Sequence, residues 1–192
     1  MCPSLWYNPP NLQLHVLTQI HHCGFEPSKT TRSEGGRMKG NAKVIAKLNG
    51  LLAEELTAIS QYIVHAEMCG NWGYKKLHEV SEKRAISEMK HAESLIERII
   101  FLEGRPTVSK LNKFTIGADV LAQHKNDWAF ENGAVKSYNA GIKIATDVHD
   151  NGTRELLNSI LKDEEDHIDV LEMELDQIKQ MGIQNYLTEQ MG

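Results

Sequence analysis

Proline is almost absent from most of this chain: beyond Met38 the sequence contains only Pro106. Because proline removes a backbone donor and clashes inside a helix, its scarcity permits unusually long helices. Apolar residues in the same region recur at alternating three- and four-residue steps, which is the period of an amphipathic helix. They do so in four stretches, at about 41–72, 74–103, 119–149 and 153–181. The period of the third stretch aligns on one face Leu121, His124, Trp128, Glu131, Val135, Tyr138, Ile142 and Ala145. The sequence therefore predicts an all-α fold.

The connections between the predicted helices indicate how they are arranged. Gly73 separates the first two helices and Asn151-Gly152 makes the turn between the last two, so the helices of each pair lie antiparallel as neighbours. The linker at 104–118, extended at up to about 3.5 Å per residue, reaches roughly 50 Å, which is enough to traverse the bundle. We expect a four-helix up-down-down-up bundle with one long crossover and a short C-terminal fifth helix around Tyr186.

The first 37 residues differ from the rest in composition. They hold four of the five prolines and three of the nine histidines, without a sustained apolar period. We interpret residues 1–37 as a disordered N-terminal extension and residues 38–192 as one domain. Residues 34–36 can be encoded by the purine-rich bases that precede many bacterial starts. One hypothesis is therefore that translation begins at Met38 and that the extension is an artefact of start-site assignment.

Composition also narrows the class of function. The formal net charge of -5 argues against a surface built to bind nucleic acid. No run of about 18 apolar residues exists to span a bilayer, and the N-terminus lacks the features of a signal peptide. Cys2, Cys23 and Cys69 form no CxxC pair and no disulfide framework. We expect a cytoplasmic protein that binds neither nucleic acid nor membrane.

Four glutamates occupy positions where the helical period calls for apolar side chains. They are Glu55, Glu88, Glu131 and Glu164, one on each predicted helix. A buried carboxylate costs several kcal/mol unless it is paired or bound to a metal, and four together would repel one another. A shared cation is the simplest explanation for all four.

Two of these glutamates begin Glu-x-x-His motifs, which end at His91 and His167. A spacing of three residues puts both side chains of a motif on one helix face. One such motif arises readily on a solvated helix face. Here, however, 33 residues separate the two glutamates of the first helix pair, and 33 separate those of the second. This repetition predicts a dinuclear metal site on a pseudo-twofold axis, the layout of ferritin-like carboxylate proteins.

The donor types narrow the choice of metal. Carboxylate oxygens with one imidazole per ion suit iron or manganese better than copper, and zinc would bind as well. We predict iron, because two adjacent ferrous ions can give dioxygen two electrons. Glu88 and Glu164 are the expected bridging ligands, since each shares a helix with a histidine of the site. Glu55 and Glu131 are then the terminal ligands.

Several further segments match a known family. They are Met38-Lys39-Gly40, Asn71-Trp72-Gly73, Asp163-Glu164-Glu165, His167-Ile168-Asp169, Met181-Gly182 and Gln184-Asn185-Tyr186-Leu187. With these segments, residues Met38 to Gly192 resemble bacterioferritin, a ferritin-like diiron family. The family's metal ligands fall on Glu55, Glu88, His91, Glu131, Glu164 and His167.

This resemblance implies a function. The protein is expected to be a ferroxidase, which oxidises Fe(II) to Fe(III) with dioxygen or hydrogen peroxide. The reaction would take place at a centre that holds two iron ions in each subunit. The ferric mineral would be deposited inside a homo-oligomeric shell of about 24 subunits with closed symmetry. Iron storage and iron detoxification are both consistent with this activity.

The resemblance also gives Met89 a role. Met89 directly follows a predicted ligand, so it points about 100° away from the metal face. A methionine there is ordinarily a packing residue. The family uses it as the axial ligand of a b-type haem shared between two subunits, which passes electrons inward to release stored iron. A ferredoxin-type protein would be the electron donor.

Tyr62 lies two helical turns beyond the first glutamate, on the same stripe. Two interpretations are open: a core tyrosine that bonds a ligand carboxylate, or a one-electron donor beside the metals, which the resemblance supports. Tyr138 is its counterpart in the second helix pair. We interpret Lys83, Ser87 and His65 as structural, since no constellation of ligands surrounds them.

Other functions share parts of this pattern. A diiron peroxidase or oxygenase would use the same ligands, but rubrerythrin-type enzymes add a cysteine-rich iron module and oxygenases are usually larger. A DNA-protecting mini-ferritin places its iron ligands between subunits, whereas this chain carries a full set. A purely structural bundle would not contain four buried glutamates, because burying carboxylates is costly unless something compensates their charge.

Overall fold

The computed structural model describes residues 39–192, so the interpretation of residues 1–37 lies outside the described part of the chain. Within 39–192 the structure contains helices and no β-strand. The helices are α1 Ala42–Asn71, α2 Lys75–Phe101, α3 Val120–Asp147, α4 Asn151–Met181 and α5 Ile183–Gln190. The predicted all-α class is confirmed, and the four long helices end within two residues of the predicted positions. None of these helices is both long and apolar enough to cross a membrane.

The long helices form two hairpins, α1 with α2 and α3 with α4. An irregular crossover of residues 102–119 joins the hairpins, and the short α5 packs against the ends of α2 and α4. The predicted up-down-down-up bundle with one crossover and a fifth helix is confirmed. Gly73 makes the first turn with a φ of 88°, in the left-handed region that favours glycine.

The second turn differs from its prediction. Asn151 and Gly152, predicted to form the turn, are the first two residues of α4. The turn lies just before them, where His149 has a φ of 60°. Asp150 begins the helix because its side chain accepts a hydrogen bond from the backbone N–H of Thr153, at 3.0 Å.

The aliphatic core fills the half of the bundle nearest the start of α1. Its fully buried members include Leu48, Leu51, Leu52, Leu95, Ile99 and Leu157. Burying each of these side chains stabilises the fold by about 2 kcal/mol. The predicted apolar stripe of the third helix is wrong at Trp128, which is exposed and donates from Nε1 to Glu172 at 3.0 Å. Polar Gln123 and Asp127 take the inward positions instead.

The crossover is fixed to α1 by a row of hydrogen bonds. Backbone N–H groups of the crossover donate to α1 side chains spaced four residues apart, which share one helix face. The pairs are Asn112 to Thr57 Oγ1 at 2.8 Å, Thr115 to Gln61 Oε1 at 3.0 Å and Gly117 to His65 Nε2 at 3.0 Å. These bonds satisfy backbone groups that would otherwise be buried without partners.

A buried carboxylate completes this row. Asp127 accepts a hydrogen bond from Gln61 Nε2 at 2.7 Å and contacts His65 Nδ1 at 3.0 Å. Because His65 Nε2 accepts from Gly117, its Nδ1 carries the proton and donates to Asp127. Gly117 is required there, since a Cβ would lie 2.3 Å from the backbone nitrogen of Gln123. The interpretation of His65 as structural agrees with these contacts.

Candidate metal centre

The four predicted glutamates meet between the two hairpins. Each comes from a different long helix, and each is only 1% or 2% exposed. They are Glu55 on α1, Glu88 on α2, Glu131 on α3 and Glu164 on α4. Helical periodicity places each of them on the inward stripe that otherwise carries aliphatic residues, which is why folding the hairpins together brings the carboxylates to one point.

The donor atoms form two overlapping groups. In each group the oxygen and nitrogen atoms lie within 4.8 Å of one another, close enough to share one metal ion. The first group is Glu55, Glu88, His91 and Glu164, and the second is Glu88, Glu131, Glu164 and His167. Glu88 and Glu164 therefore belong to both groups, and each of the remaining ligands belongs to one.

The two histidines direct the same ring atom at the glutamates. His91 Nδ1 lies 2.9 Å from Glu88 Oε2 and 3.3 Å from Glu164 Oε1. His167 Nδ1 lies 3.0 Å from Glu88 Oε1 and 3.1 Å from Glu164 Oε2. The terminal carboxylates are farther away, with Glu55 Oε2 at 3.7 Å from His91 and Glu131 Oε1 at 3.7 Å from His167. This arrangement repeats in the two halves of the site, as the pseudo-twofold prediction requires.

The charges of the six side chains are strongly coupled. Burial raises the pKa of Glu55 and Glu131 well above the ordinary value, and the neighbouring carboxylates raise it further. Burial alone would raise the pKa of Glu88, but hydrogen bonds with His167 and His91 bring it down to about 2. The site thus combines carboxyl groups that hold protons with one that stays ionised.

The histidines respond in the opposite sense. Burial alone would lower the pKa of His167, but hydrogen bonds with Glu164 and Glu88 raise it to about 10. The pKa of His91 is also raised above its ordinary value, because hydrogen bonds with Glu164, Glu55 and Glu88 outweigh burial. A proton on Nδ1 of either histidine occupies the place where a metal ion bound to that nitrogen would lie.

Two buried oxygen atoms support a fit to metal ions. Glu88 Oε1 lies 3.0 Å from His167 Nδ1 and Glu164 Oε1 lies 3.3 Å from His91 Nδ1, but neither oxygen has a well-aligned hydrogen-bond donor among the described residues. A buried carboxylate oxygen without a donor is costly, and a cation removes that cost. Both atoms belong to the two glutamates shared by the donor groups. The oxygen-rich donor set with one imidazole per group suits iron, manganese or zinc.

Two buried tyrosines contact the terminal glutamates. The Tyr62 hydroxyl donates to Glu131 and the Tyr138 hydroxyl donates to Glu55, so each tyrosine bridges α1 and α3. Burial raises the pKa of both phenols well above the ordinary value. Tyr62 alone of the two has a guanidinium over its ring, that of Arg84, with the Arg84 Cζ 5.4 Å from the ring centroid.

Met89 is about half exposed, as expected of a residue that follows Glu88 directly and points about 100° away from it around α2. It lines a shallow groove of about 250 Å³ between α1 and α2. The other apolar residues of the groove are Ile59, Ile63, Ala66, Ala85 and Ile86. The groove is therefore an apolar face with a thioether among its side chains.

A second cavity, between α2 and α4, leads from the surface to the metal centre. It has a volume of about 460 Å³ and reaches both histidines. The polar residues that line it are Ser87, Lys90, Ser94, Ser159, Asp163 and Asp166. Its polar walls suit water and ions better than an apolar organic substrate.

One contact of the centre was not predicted from the sequence. His91 Nε2 lies 3.2 Å from Asp163 Oδ2, across from α2 to α4. Asp163 directly precedes a predicted ligand, and neighbouring helical residues point about 100° apart, so helical periodicity does not place it on the metal face. The same is true of Asp127, whose inward position no motif marked.

Comparison with known proteins agrees with this geometry. Residues 45–181 match the family model described as a ferritin-like domain. Bacterioferritin of Rhodobacter capsulatus is 40% identical over 149 residues, covering 78% of this chain and 92% of the relative. Bacterioferritin of Brucella melitensis is 38% identical with the same coverage. Bacterioferritin BfrA of Mycobacterium tuberculosis is 35% identical over 78% of this chain and 94% of the relative. The chain therefore belongs to the ferritin-like family and, within it, to the bacterioferritins.

Proposed function

We propose that this protein stores iron and that it is a ferroxidase, which oxidises Fe(II) at the centre between the two hairpins. Membership of the bacterioferritins supports the storage role. The observation that carries the ferroxidase proposal is the pair of overlapping donor groups that share Glu88 and Glu164. Two ions bound through shared carboxylates lie close enough to act on one oxidant molecule.

The ligands have separate roles in this proposal. Two ferrous ions, as substrate, supply two electrons to one molecule of dioxygen or hydrogen peroxide. Glu88 and Glu164 bridge the two metal positions, while Glu55 with His91 and Glu131 with His167 complete one position each. Metal binding displaces protons from the imidazoles and the terminal carboxyls, so iron uptake releases protons.

Tyr62 is proposed as a one-electron donor to the oxidant. Its phenol is buried and donates to Glu131, so the phenolic proton has an acceptor when an electron leaves the ring. Two ferrous ions reduce dioxygen only to the level of peroxide, and reduction of that peroxide to water takes two further electrons. Tyr62 supplies one of these electrons and a third Fe(II) supplies the other. The phenolic proton passes to the Glu131 carboxylate, and a neutral phenoxyl radical remains. Tyr138 has the same bond to Glu55 but lacks the guanidinium that covers Tyr62.

We further propose that Met89 binds a b-type haem between two subunits. The half-exposed thioether and the apolar groove between α1 and α2 support this role, since a haem would remove this apolar surface from water. A haem there would carry electrons from a ferredoxin-type donor toward the stored mineral. The proposed assembly is a homo-oligomeric shell of about 24 subunits with closed symmetry, in the cytoplasm.

The alternative functions have less support. A mini-ferritin would draw its iron ligands from two subunits, whereas all six ligands here come from one chain. A diiron oxygenase, or a peroxidase that oxidises an organic molecule, would need a pocket for that organic substrate, and most residues that line the cavity reaching the histidines are polar. Iron itself is the substrate that best fits this cavity.

The proposal is tested by stopped-flow oxidation of Fe(II) on metal-free protein. We expect a rapid phase that saturates at two irons per subunit, with consumption of dioxygen. Glu88→Ala and Glu164→Ala should each abolish the rapid phase, because a bridging ligand is lost, while alanine preserves the helix and assembly. Light scattering after size exclusion checks that the shell still forms.

Glu165→Ala is the matched control. It removes a carboxylate from the exposed side of α4, next to Glu164, and should leave the rapid phase at the wild-type rate. Wild-type oxidation rates in both Glu88→Ala and Glu164→Ala would refute the bridging roles. A wild-type protein without any rapid phase would refute the ferroxidase function.

A further inference from the structure

In both histidines of the metal centre Nδ1 faces the glutamates and Nε2 faces away from them. The two histidines differ in the hydrogen-bond partner of Nε2. His91 Nε2 lies 3.2 Å from Asp163 Oδ2. Because a carboxylate only accepts, His91 Nε2 carries the proton and donates. His167 Nε2 has no hydrogen-bond partner within residues 39–192, where the ring contacts the glutamates through Nδ1 alone.

This difference traces to one position in the sequence. Residues of the second hairpin follow their counterparts in the first by 76 positions, as Glu164 follows Glu88. By the same offset the counterpart of Asp163 is Ser87. Both line the cavity between α2 and α4, but only one of them carries a carboxylate. The pseudo-twofold symmetry of the six ligands therefore breaks at the groups that support the histidines.

Support of this kind changes metal affinity. A histidine whose second nitrogen donates to a carboxylate is held in one tautomer and one ring orientation, and it is the more basic ligand. Loss of such a partner typically weakens metal binding by about 10- to 100-fold. The Asp163 side chain is 51% exposed, so water competes for it and the lower end of that range applies. The side chain of His167 is also the more exposed of the two, at 16% against 6% for His91.

We propose that Asp163 is a positioning residue that makes the two metal positions unequal. The position of Glu55 and His91 binds its ion more tightly and fills first. The position of Glu131 and His167 binds its ion more weakly and releases it more readily. This inference rests on the proposed dinuclear metal centre.

Cobalt(II) provides a test that does not depend on oxidation. Metal-free full-length protein is titrated with Co(II) under anaerobic conditions, followed by visible absorption and calorimetry. We expect two resolved binding steps per subunit. Asp163→Ala should weaken the first step by about 10-fold, and Asp163→Asn by less, because an amide oxygen still accepts from His91 Nε2.

Ser87→Asp tests the converse. It places a carboxylate at the pseudo-equivalent position beside His167 and should tighten the second step by about 10-fold, so that the two steps merge. Ser159→Asp is the matched control, because it adds the same charge to the same cavity. Residue 159 lies eight positions before His167, about 12 Å along α4, so the added carboxylate cannot support that ring. It should leave the second step near its wild-type affinity.

Crystals prepared with one Co(II) per subunit identify which position fills. The anomalous scattering peak is expected beside His91. Equal occupancy of both positions, or a peak beside His167, would overturn the inference and leave the metal centre intact. So would an unchanged titration of both Asp163→Ala and Ser87→Asp. Absence of cobalt binding in the wild-type protein would overturn the proposed centre together with this inference.

Discussion

The hydroxyl of Tyr62, on α1, donates a hydrogen bond to Glu131, on α3. The pseudo-equivalent bond runs from Tyr138 on α3 to Glu55 on α1. Each hairpin therefore orients the terminal carboxylate of the other. The two tyrosines differ in one respect, because only the Tyr62 ring lies under the guanidinium of Arg84.

Comparison of Tyr62 with Tyr138 separates the electron-donor role from the structural one, because both tyrosines bond a glutamate but only Tyr62 is proposed as the donor. Tyr62→Phe and Tyr138→Phe each remove one buried hydrogen bond to a carboxylate, so both should lower the free energy of unfolding by about 1–3 kcal/mol. After Fe(II) and dioxygen are mixed, we expect a tyrosyl radical signal in the electron paramagnetic resonance spectrum. The signal should disappear in Tyr62→Phe and persist in Tyr138→Phe. A signal that survives in Tyr62→Phe would assign the donor to another residue.

The role of Met89 is tested by Met89→Leu, which preserves side-chain volume and removes the sulfur. We expect the haem absorption spectrum to be altered or lost and the release of iron by an electron donor to slow. The initial rate of iron oxidation should stay near the wild-type rate, since Met89 faces away from the metals. Met173→Leu, at a methionine that is exposed on α4, is the control and should keep the native spectrum. A native haem spectrum in Met89→Leu would place the haem elsewhere.

Acid should weaken the attachment of α5 through His124. Its Nε2 lies 3.0 Å from the Tyr186 hydroxyl, which itself donates to Glu174, so His124 donates from Nε2. Burial lowers the pKa of His124 from 6.5 to about 4, although the charge of Asp127 opposes this shift. Between those values the unfolded chain binds more protons than the folded one. Stability therefore falls as the pH falls through this window, by on the order of 3 kcal/mol at its lower end.

The measurement is the Tm of metal-free protein between pH 7 and pH 4. His124→Gln keeps a donor for Tyr186 but does not titrate, so its Tm should fall less steeply below about pH 6.5 than that of the wild type. His149→Asn is the control, because His149 is exposed and asparagine tolerates its positive φ. Parallel curves for wild type and His124→Gln would show that this histidine is not responsible.

Removal of residues 1–37 should leave folding, assembly and ferroxidase activity intact. All six proposed ligands, and every helix of the bundle, lie after Met38. Truncated and full-length chains are compared by light scattering after size exclusion and by the rate of iron oxidation. A truncated chain that fails to assemble, or that oxidises iron several-fold more slowly, would show that the segment has a function.

The sequence alone predicted the four long helices and the six candidate ligands. Helical periodicity is a local property that repeats many times along each stretch. One residue that breaks the pattern therefore does not change the predicted bounds of a helix. The ligands were identifiable because a glutamate on an apolar stripe conflicts with its surroundings unless something compensates it. Equal spacing in the two halves then indicated that Glu55, Glu88, Glu131 and Glu164 meet at one point.

Prediction was less accurate where two local signals compete. Helical periodicity placed Trp128 on the inward stripe of α3, yet Gln123 and the adjacent Asp127 face inward instead. Asn151 and Gly152 were assigned to a turn on composition, but Asp150 caps the helix just before them. In both cases the observed structure depends on the orientation of one further side chain, that of Glu172 or of Asp150, which the sequence does not give.

Only the tertiary structure decided which polar residues support the metal centre. Asp163 reaches His91 across 72 positions of sequence, and Gly117 reaches His65 across 52. The period of a helix fixes which residues share its face, but not how far that helix is rotated or shifted against its neighbour. Those two quantities come from the packing of side chains along whole helices. The six candidate ligands could therefore be proposed from the sequence, whereas the unequal support of the two histidines became apparent only in the packed bundle.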